Sequence, residues 1–266
     1  MNFLAEISPV YAASGFCVGL LVGLTGVGGG ALMTPILILL FGVAPGSAVG
    51  TDLLYACVTK SGGVLVHGLN HTVDWRVVRR LSLGSLPASV LTLCVLYFLN
   101  IHSAASNTLF ILALGIALLL TAFALVFRRR FTAFYMARVG VLPERRLFQF
   151  TVLTGAVLGV LVSISSVGAG ALGATALILL YPNLPTSKIT GSDIAHAVPL
   201  TLVAGIGHLM LGTIDWVLLI SLLLGSLPGI VIGSALVVKI PERVLRLTLA
   251  TVLAVVAARL LGSVMP

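Results

Sequence analysis

The stretch GLTGVGGGALMTPILILL runs from Gly23 to Leu40 and carries Gly28, Gly29 and Gly30 at its centre. Apolar residues flank it on both sides. A glycine cluster inside a hydrophobic run breaks a helix where a soluble protein rarely breaks one. The arrangement recurs as VSISSVGAGALGATALILL, from Val162 to Leu180, with Gly168 and Gly170 at its centre. Both breaks are expected at membrane mid-depth. Each is followed by an apolar segment, about 28 to 43 and about 168 to 181, too short to cross a bilayer comfortably. These read as half-helices in hairpins that turn at the glycines.

Composition sets the class. Of 266 residues, 59% are hydrophobic and only 8% are charged, against about 25% charged in an ordinary soluble domain. Mean hydropathy is +1.20. The apolar runs are long and continuous, whereas a β-barrel alternates, so the expected fold is an all-α polytopic membrane protein. The net charge of +8 then marks loops on one side of a bilayer and not a nucleic-acid site. The opening MNFLAEISPV has no Lys or Arg, unlike a cleaved signal peptide, so the first apolar segment is expected to be retained. Cys17, Cys57 and Cys94 lie in apolar runs without metal-ligand spacing and are expected as buried free thiols.

Ten helical segments are expected, and they form an internal duplication. Pro45 matches Pro185, and Gly50-Thr51-Asp52 matches Gly191-Ser192-Asp193. His67 matches His208, and Val73-Asp74-Trp75 matches Ile214-Asp215-Trp216. Gly84-Ser85-Leu86-Pro87 recurs at Gly225-Ser226-Leu227-Pro228. The organisation read from this is a first repeat over 9–127, a basic cytoplasmic linker over 128–146 and a second repeat over 147–263. Five segments make an odd unit, so the second repeat enters the membrane from the opposite side. Placing the linker inside gathers every loop Lys and Arg on the cytoplasmic face and leaves both termini outside. Only Lys60 and Arg259 then remain, both within helices.

Inverted repeats with interrupted helices are the sequence pattern of secondary transporters. A helix starting at mid-depth leaves its first N–H groups unpaired and puts about half a positive charge there. Gly28, Gly29, Gly30, Gly168 and Gly170 would let a small anion approach that backbone. In segment three, Asp52, Thr59, Lys60, Gly63 and His67 share one helical face. Segment eight matches it with Asp193, His196, Thr201 and His208. Intramembrane ionisable groups face a cavity or a partner. Lys60 could neutralise a bound anion, helped by Thr59, Ser61 and Thr201, or could pair with an aspartate as a structural ion pair. Asp52 and Asp193 are either N-caps or coupling residues, with protons the candidate coupling ion. His67 and His208 could hold terminal carbonyls or relay protons. His196, opposite Tyr55 in the first repeat, is a further polar candidate. Trp75 and Trp216 read as interface anchors, and Asp74 and Asp215 as loop or cap residues. No Walker loop, HExxH, CxxC or nucleophile elbow is present, so neither enzymatic chemistry, metal nor cofactor is implied.

The duplicated glycine hairpin, the GTD and GSD pair, the histidine about 15 positions later and GSLP resemble the sulfite exporter TauE/SafE family, also called TSUP. The resemblance spans about residues 10 to 263, and residues 51–80 look typical of one common branch. The second copy departs from the first, with GAG for GGG and Thr201 in place of a second lysine. The resemblance implies transport of sulfite, sulfoacetate or a related organosulfonate across a bacterial inner membrane. The residues themselves point only to a small anion. An anion channel and a carrier of small carboxylates are the rival readings.

Overall fold

The computed structural model describes residues 9–25, 30–99, 104–138, 142–236 and 242–263. Within them the chain forms ten α-helices. The first half comprises α1 (Pro9–Thr25), α2 (Gly30–Phe41), α3 (Pro45–Leu69), α4 (Trp75–Phe98) and α5 (Ala104–Arg138). The second comprises α6 (Glu144–Ser165), α7 (Ala171–Leu180), α8 (Thr186–Met210), α9 (Trp216–Leu236) and α10 (Glu242–Gly262). Five long apolar stretches can cross a bilayer: α4, α6, α8, most of α9, and Ser106–Arg128 of α5. With 12 and 10 residues, α2 and α7 are about 18 and 15 Å long, half of a hydrocarbon layer of about 30 Å.

One boundary departs clearly from expectation. The chain after Phe127 was expected as loop, but α5 continues through Arg128–Arg130 to Arg138. Charge ends a membrane span without ending a helix. Arg, Ala and Met are good helix formers, and no Gly or Pro intervenes before Gly140.

The second break has a clear local cause. At the end of α6, Ser166 is left-handed at φ 56°, and Gly168 and Gly170 take φ of 125° and 140°. The last two values are strained for any residue with a Cβ. Helix starts after the short loops are capped as the sequence suggests. The Asp74 carboxylate accepts from the N–H groups of Arg76 and Val77 at 3.0 and 3.5 Å. Asp215 accepts from Leu218 N–H at 2.9 Å. Trp75 and Trp216 follow these caps and are largely exposed.

The halves interlock reciprocally. Helix α1 packs along α9, and its counterpart α6 packs along α4. At the centre α3 meets α8, and on the flank α5 meets α10. Helix α2 lies mainly on α3 and hardly touches α1, whereas α7 lies mainly on α5 and meets both α6 and α8. Small residues make the seams close. A Cβ at Gly15 or Gly19 of α1 would strike the backbone of α9, and one at Gly84 of α4 or Gly155 of α6 would strike the opposite backbone. This is the small-xxx-small packing of membrane helices. Hydrogen bonds cross in the same reciprocal way. Asp215 N–H donates to Thr51 Oγ1 at 3.1 Å, and Asp74 N–H donates to Ser192 Oγ at 2.8 Å. Each GTD or GSD motif thus holds the loop before a helix of the other half.

The cysteines correct one expectation. Cys57 is buried, but Cys17 and Cys94 are exposed. An apolar run in a membrane helix has an outward face as well as an inward one, and these two thiols occupy it.

Candidate functional site

The polar centre lies where α3 and α8 cross. Asp52 and Asp193 sit two turns inside their helices, since α3 begins at Pro45 and α8 at Thr186. Neither is an N-cap, which removes that reading of the pair. Asp52 is fully buried, and its Oδ2 accepts a hydrogen bond from the Thr34 hydroxyl of α2. Asp193 is also buried. Its Oδ1 lies over Gly173 of α7, where an added Cβ would collide with it.

Lys60 reaches across the halves. It is 8% exposed, and its Nζ donates to the carbonyl of Ala169 at 2.8 Å. Ala169 stands between Gly168 and Gly170, so three of the expected site residues meet here. The ammonium lies in the field of Asp193 and Asp52. No carboxylate is in ion-pair contact with it among the described residues. The structural ion-pair reading of Lys60 therefore does not hold.

The expected hydroxyls are oriented otherwise than an anion needs. Thr59 Oγ1 donates to the Tyr55 carbonyl at 3.0 Å, Ser61 Oγ to Cys57 at 2.7 Å and Thr201 Oγ1 to Ala197 at 2.8 Å. A hydroxyl has one proton, so all three must rotate before they can donate to a ligand. Among the described residues, the remaining N–H bonds of Lys60 and the first turn of α7 are free to donate. Ala171 and Leu172 of that turn make no backbone hydrogen bond through N–H among the described residues, and Gly170 offers no side-chain cap.

Five buried side-chain polar atoms lack a hydrogen-bond partner among the described residues. They are Asp52 Oδ1, Tyr55 Oη, Ser166 Oγ, Asp193 Oδ1 and His196 Nδ1. All five belong to α3, α8 or the link between α6 and α7. Buried polar atoms are normally paired, and these five share one set of elements, with Ser166 facing Asp52 and Ser226 of α9 facing Tyr55. His196 is fully buried, with Nε2 2.8 Å from Ser85 Oγ. It occupies the position of Tyr55 in the duplication, and both present an unpaired polar atom.

Other candidates lie farther off or outside the described residues. Gly28 and Gly29 lie outside them, and Gly30 is the first residue of α2. His67, about 10 Å along α3 from Lys60, faces Thr72 Oγ1 at 2.8 Å. His208 donates from Nε2 to the Ser163 carbonyl at 2.9 Å, and its Nδ1 faces Thr213 Oγ1 at 3.0 Å. Both histidines secure helix ends and do not join the centre. Sequence reasoning missed Thr34, Ser166 and Gly173. Gly173 carried a signal, as a lone glycine inside a short apolar helix.

The long apolar helices define a multi-pass membrane protein, and the comparisons with known proteins make it a membrane transporter. A family model described as Sulfite exporter TauE/SafE matches residues 11–260, and the chain belongs to that family. It is 39% identical over 248 residues to Probable membrane transporter protein YjnA of Bacillus subtilis (strain 168), covering 93% of this chain and 97% of the relative. It is 24% identical to YdhB of the same organism, covering 87% of this chain and 91% of the relative. YunE, also from that organism, is 24% identical, with 93% and 94% covered. Both carry the same description, probable membrane transporter protein. No solved structure matches the chain.

Proposed function

We propose that the protein is a secondary transporter of a small sulfur-containing anion, such as sulfite, sulfoacetate or a related organosulfonate, across a bacterial inner membrane. The observation that carries the reading is the Lys60 ammonium held at the start of α7. Two sources of positive charge, the ammonium and the helix terminus, converge there. An anion between them takes N–H donors from Ala171, Leu172 and Lys60, with Gly168 and Gly170 leaving room for it. Thr59, Ser61 and Thr201 complete the shell once their hydroxyls turn. Gly28, Gly29 and Gly30 supply the corresponding cradle of the first half.

In this reading the repeats, 9–127 and 147–263, are inverted in the bilayer, with the linker cytoplasmic and both termini outside. Rocking of one repeat against the other exposes the centre alternately. Asp52, Asp193 and His196 lie beside the anion as coupling groups. His67 and His208 hold helix ends through the movement. The energy comes from the gradient of the anion or of protons.

The test is uptake of labelled sulfite and sulfoacetate into proteoliposomes. The reading expects saturable uptake that Lys60→Ala abolishes. Normal uptake by Lys60→Ala would remove Lys60 as a ligand. A helix terminus and an ammonium select charge and size, not sulfur, so small carboxylates are the second reading. Competition by acetate and glycolate at the same concentrations decides between them.

A further inference from the structure

The charges at the centre do not balance. Asp52 and Asp193 bring two carboxylates and Lys60 one ammonium, and all three are buried. Tyr55, Cys57 and His196, the other titratable groups there, are uncharged in their ordinary states near pH 7. Among the described residues the elements packed around them add no further charge, and α9 presents Ser226 to Tyr55. Helix α2 presents Thr34, α4 presents Ser85, the α6–α7 link presents Ser166 and Ala169, and α7 presents Gly173. Arg80 of α4 is engaged elsewhere, with Glu144 and Tyr181. With both carboxylates ionised, the centre holds one net negative charge. A second anion entering a water-poor centre meets repulsion that solvent does not screen.

Resting on the anion reading above, we propose that a monoanion is carried together with one proton, and that Asp193 takes up that proton. The two aspartates are not equivalent. The Thr34 hydroxyl donates a hydrogen bond to Asp52 Oδ2, and among the described residues no donor reaches Asp193 Oδ1 or Asp52 Oδ1, so position decides between them. Asp193 Oδ1 lies on the first turn of α7, against the cradle itself. A proton there forms an O–H bond that donates to the arriving anion. The proton comes from water on the side of entry. On release the O–H bond breaks, and the proton passes to water on the other side. Nothing is oxidised or reduced. A monoanion and one proton add no net charge, so each crossing is electroneutral.

The experiment uses the full chain in proteoliposomes with an entrapped pH dye, and labelled isethionate, a sulfonate that stays a monoanion. Uptake is expected to acidify the lumen. An outside pH one unit below the inside is expected to hold about tenfold accumulation. A potassium-diffusion potential is expected to leave that level unchanged. In Asp193→Asn, accumulation disappears while exchange of labelled for unlabelled anion remains measurable, because an amide cannot release a proton. A purely structural role would remove both. Uptake without lumen acidification overturns the proton proposal and leaves the anion reading standing. No saturable uptake of isethionate, sulfite or sulfoacetate overturns both. The wild-type proton count decides coupling even where the variant does not fold, and full accumulation by Asp193→Asn assigns the proton elsewhere.

Discussion

Lys60 of α3 donates to the carbonyl of Ala169, 2.8 Å away, on the link that starts α7 in the other half. The contact places a cation at the positive end of a helix. That pairing is unfavourable by itself. One backbone carbonyl and two carboxylates in the neighbourhood hold it, and a bound anion would relieve it further. The start of α7 and the lysine thus meet, although they come from different halves of the chain.

Lys60→Met keeps the length of the side chain and removes its charge. It is expected to lower labelled-anion uptake about 10–100-fold, the scale of one lost charge-assisted hydrogen bond. Uptake within about twofold of wild type would show that the ammonium does not touch the anion.

Gly173→Ala forces a methyl group into the Asp193 carboxylate. The expected cost is about 1–3 kcal/mol, read as a lower melting temperature in detergent. Gly62 faces open space, and Gly62→Ala is expected to raise stability by about 1 kcal/mol, since alanine favours the helix. Equal effects at the two positions would contradict the packing described.

Thr51→Ala and Ser192→Ala each leave a backbone N–H, of Asp215 or Asp74, without its acceptor in the other half. Each is expected to cost about 1–3 kcal/mol. The two crossings lie in separate loops, so the double variant is expected to show the sum. Reversible unfolding in mixed micelles measures it.

The Arg80–Glu144 ion pair is expected to matter little. The two side chains are 17% and 73% exposed, and exposed pairs contribute about 1 kcal/mol or less. Tyr181→Phe is expected to cost about 1 kcal/mol, because the phenol bridges Arg80 at 3.3 Å and Thr151 at 2.9 Å. A larger effect from Glu144→Gln than from Tyr181→Phe would reverse this order.

The helix count and the shortness of α2 and α7 were legible because hydrophobic runs and glycine breaks are local signals. Asp74 and Asp215 were legible as caps for the same reason. Asp52 was not, because its distance from the helix start depends on where α3 begins, and Pro45 carries the helix back farther than the polar pattern suggested. The extension of α5 was hidden because arginines end a hydrophobic run without ending a helix. The meeting of Lys60 with Ala169, and of Thr51 with Asp215, joins residues far apart in the chain. The duplication aligned those positions with their counterparts but said nothing of which residues they would touch. The hydroxyls of Thr59, Ser61 and Thr201 sit on the expected helices, yet their protons go to their own backbone.

The close seam between α1 and α9 bears on how the chain is made. Helix α1 leaves the ribosome long before its main partner, α9. At about 5–20 residues per second, Trp216 follows Thr25 by about 10–40 s. During that interval the Gly15 and Gly19 face of α1 has lipid or the insertion machinery in place of α9. Closing the seam is therefore a late step of biogenesis, and a nascent chain arrested before α9 would expose a notch that assembly quality control can recognise.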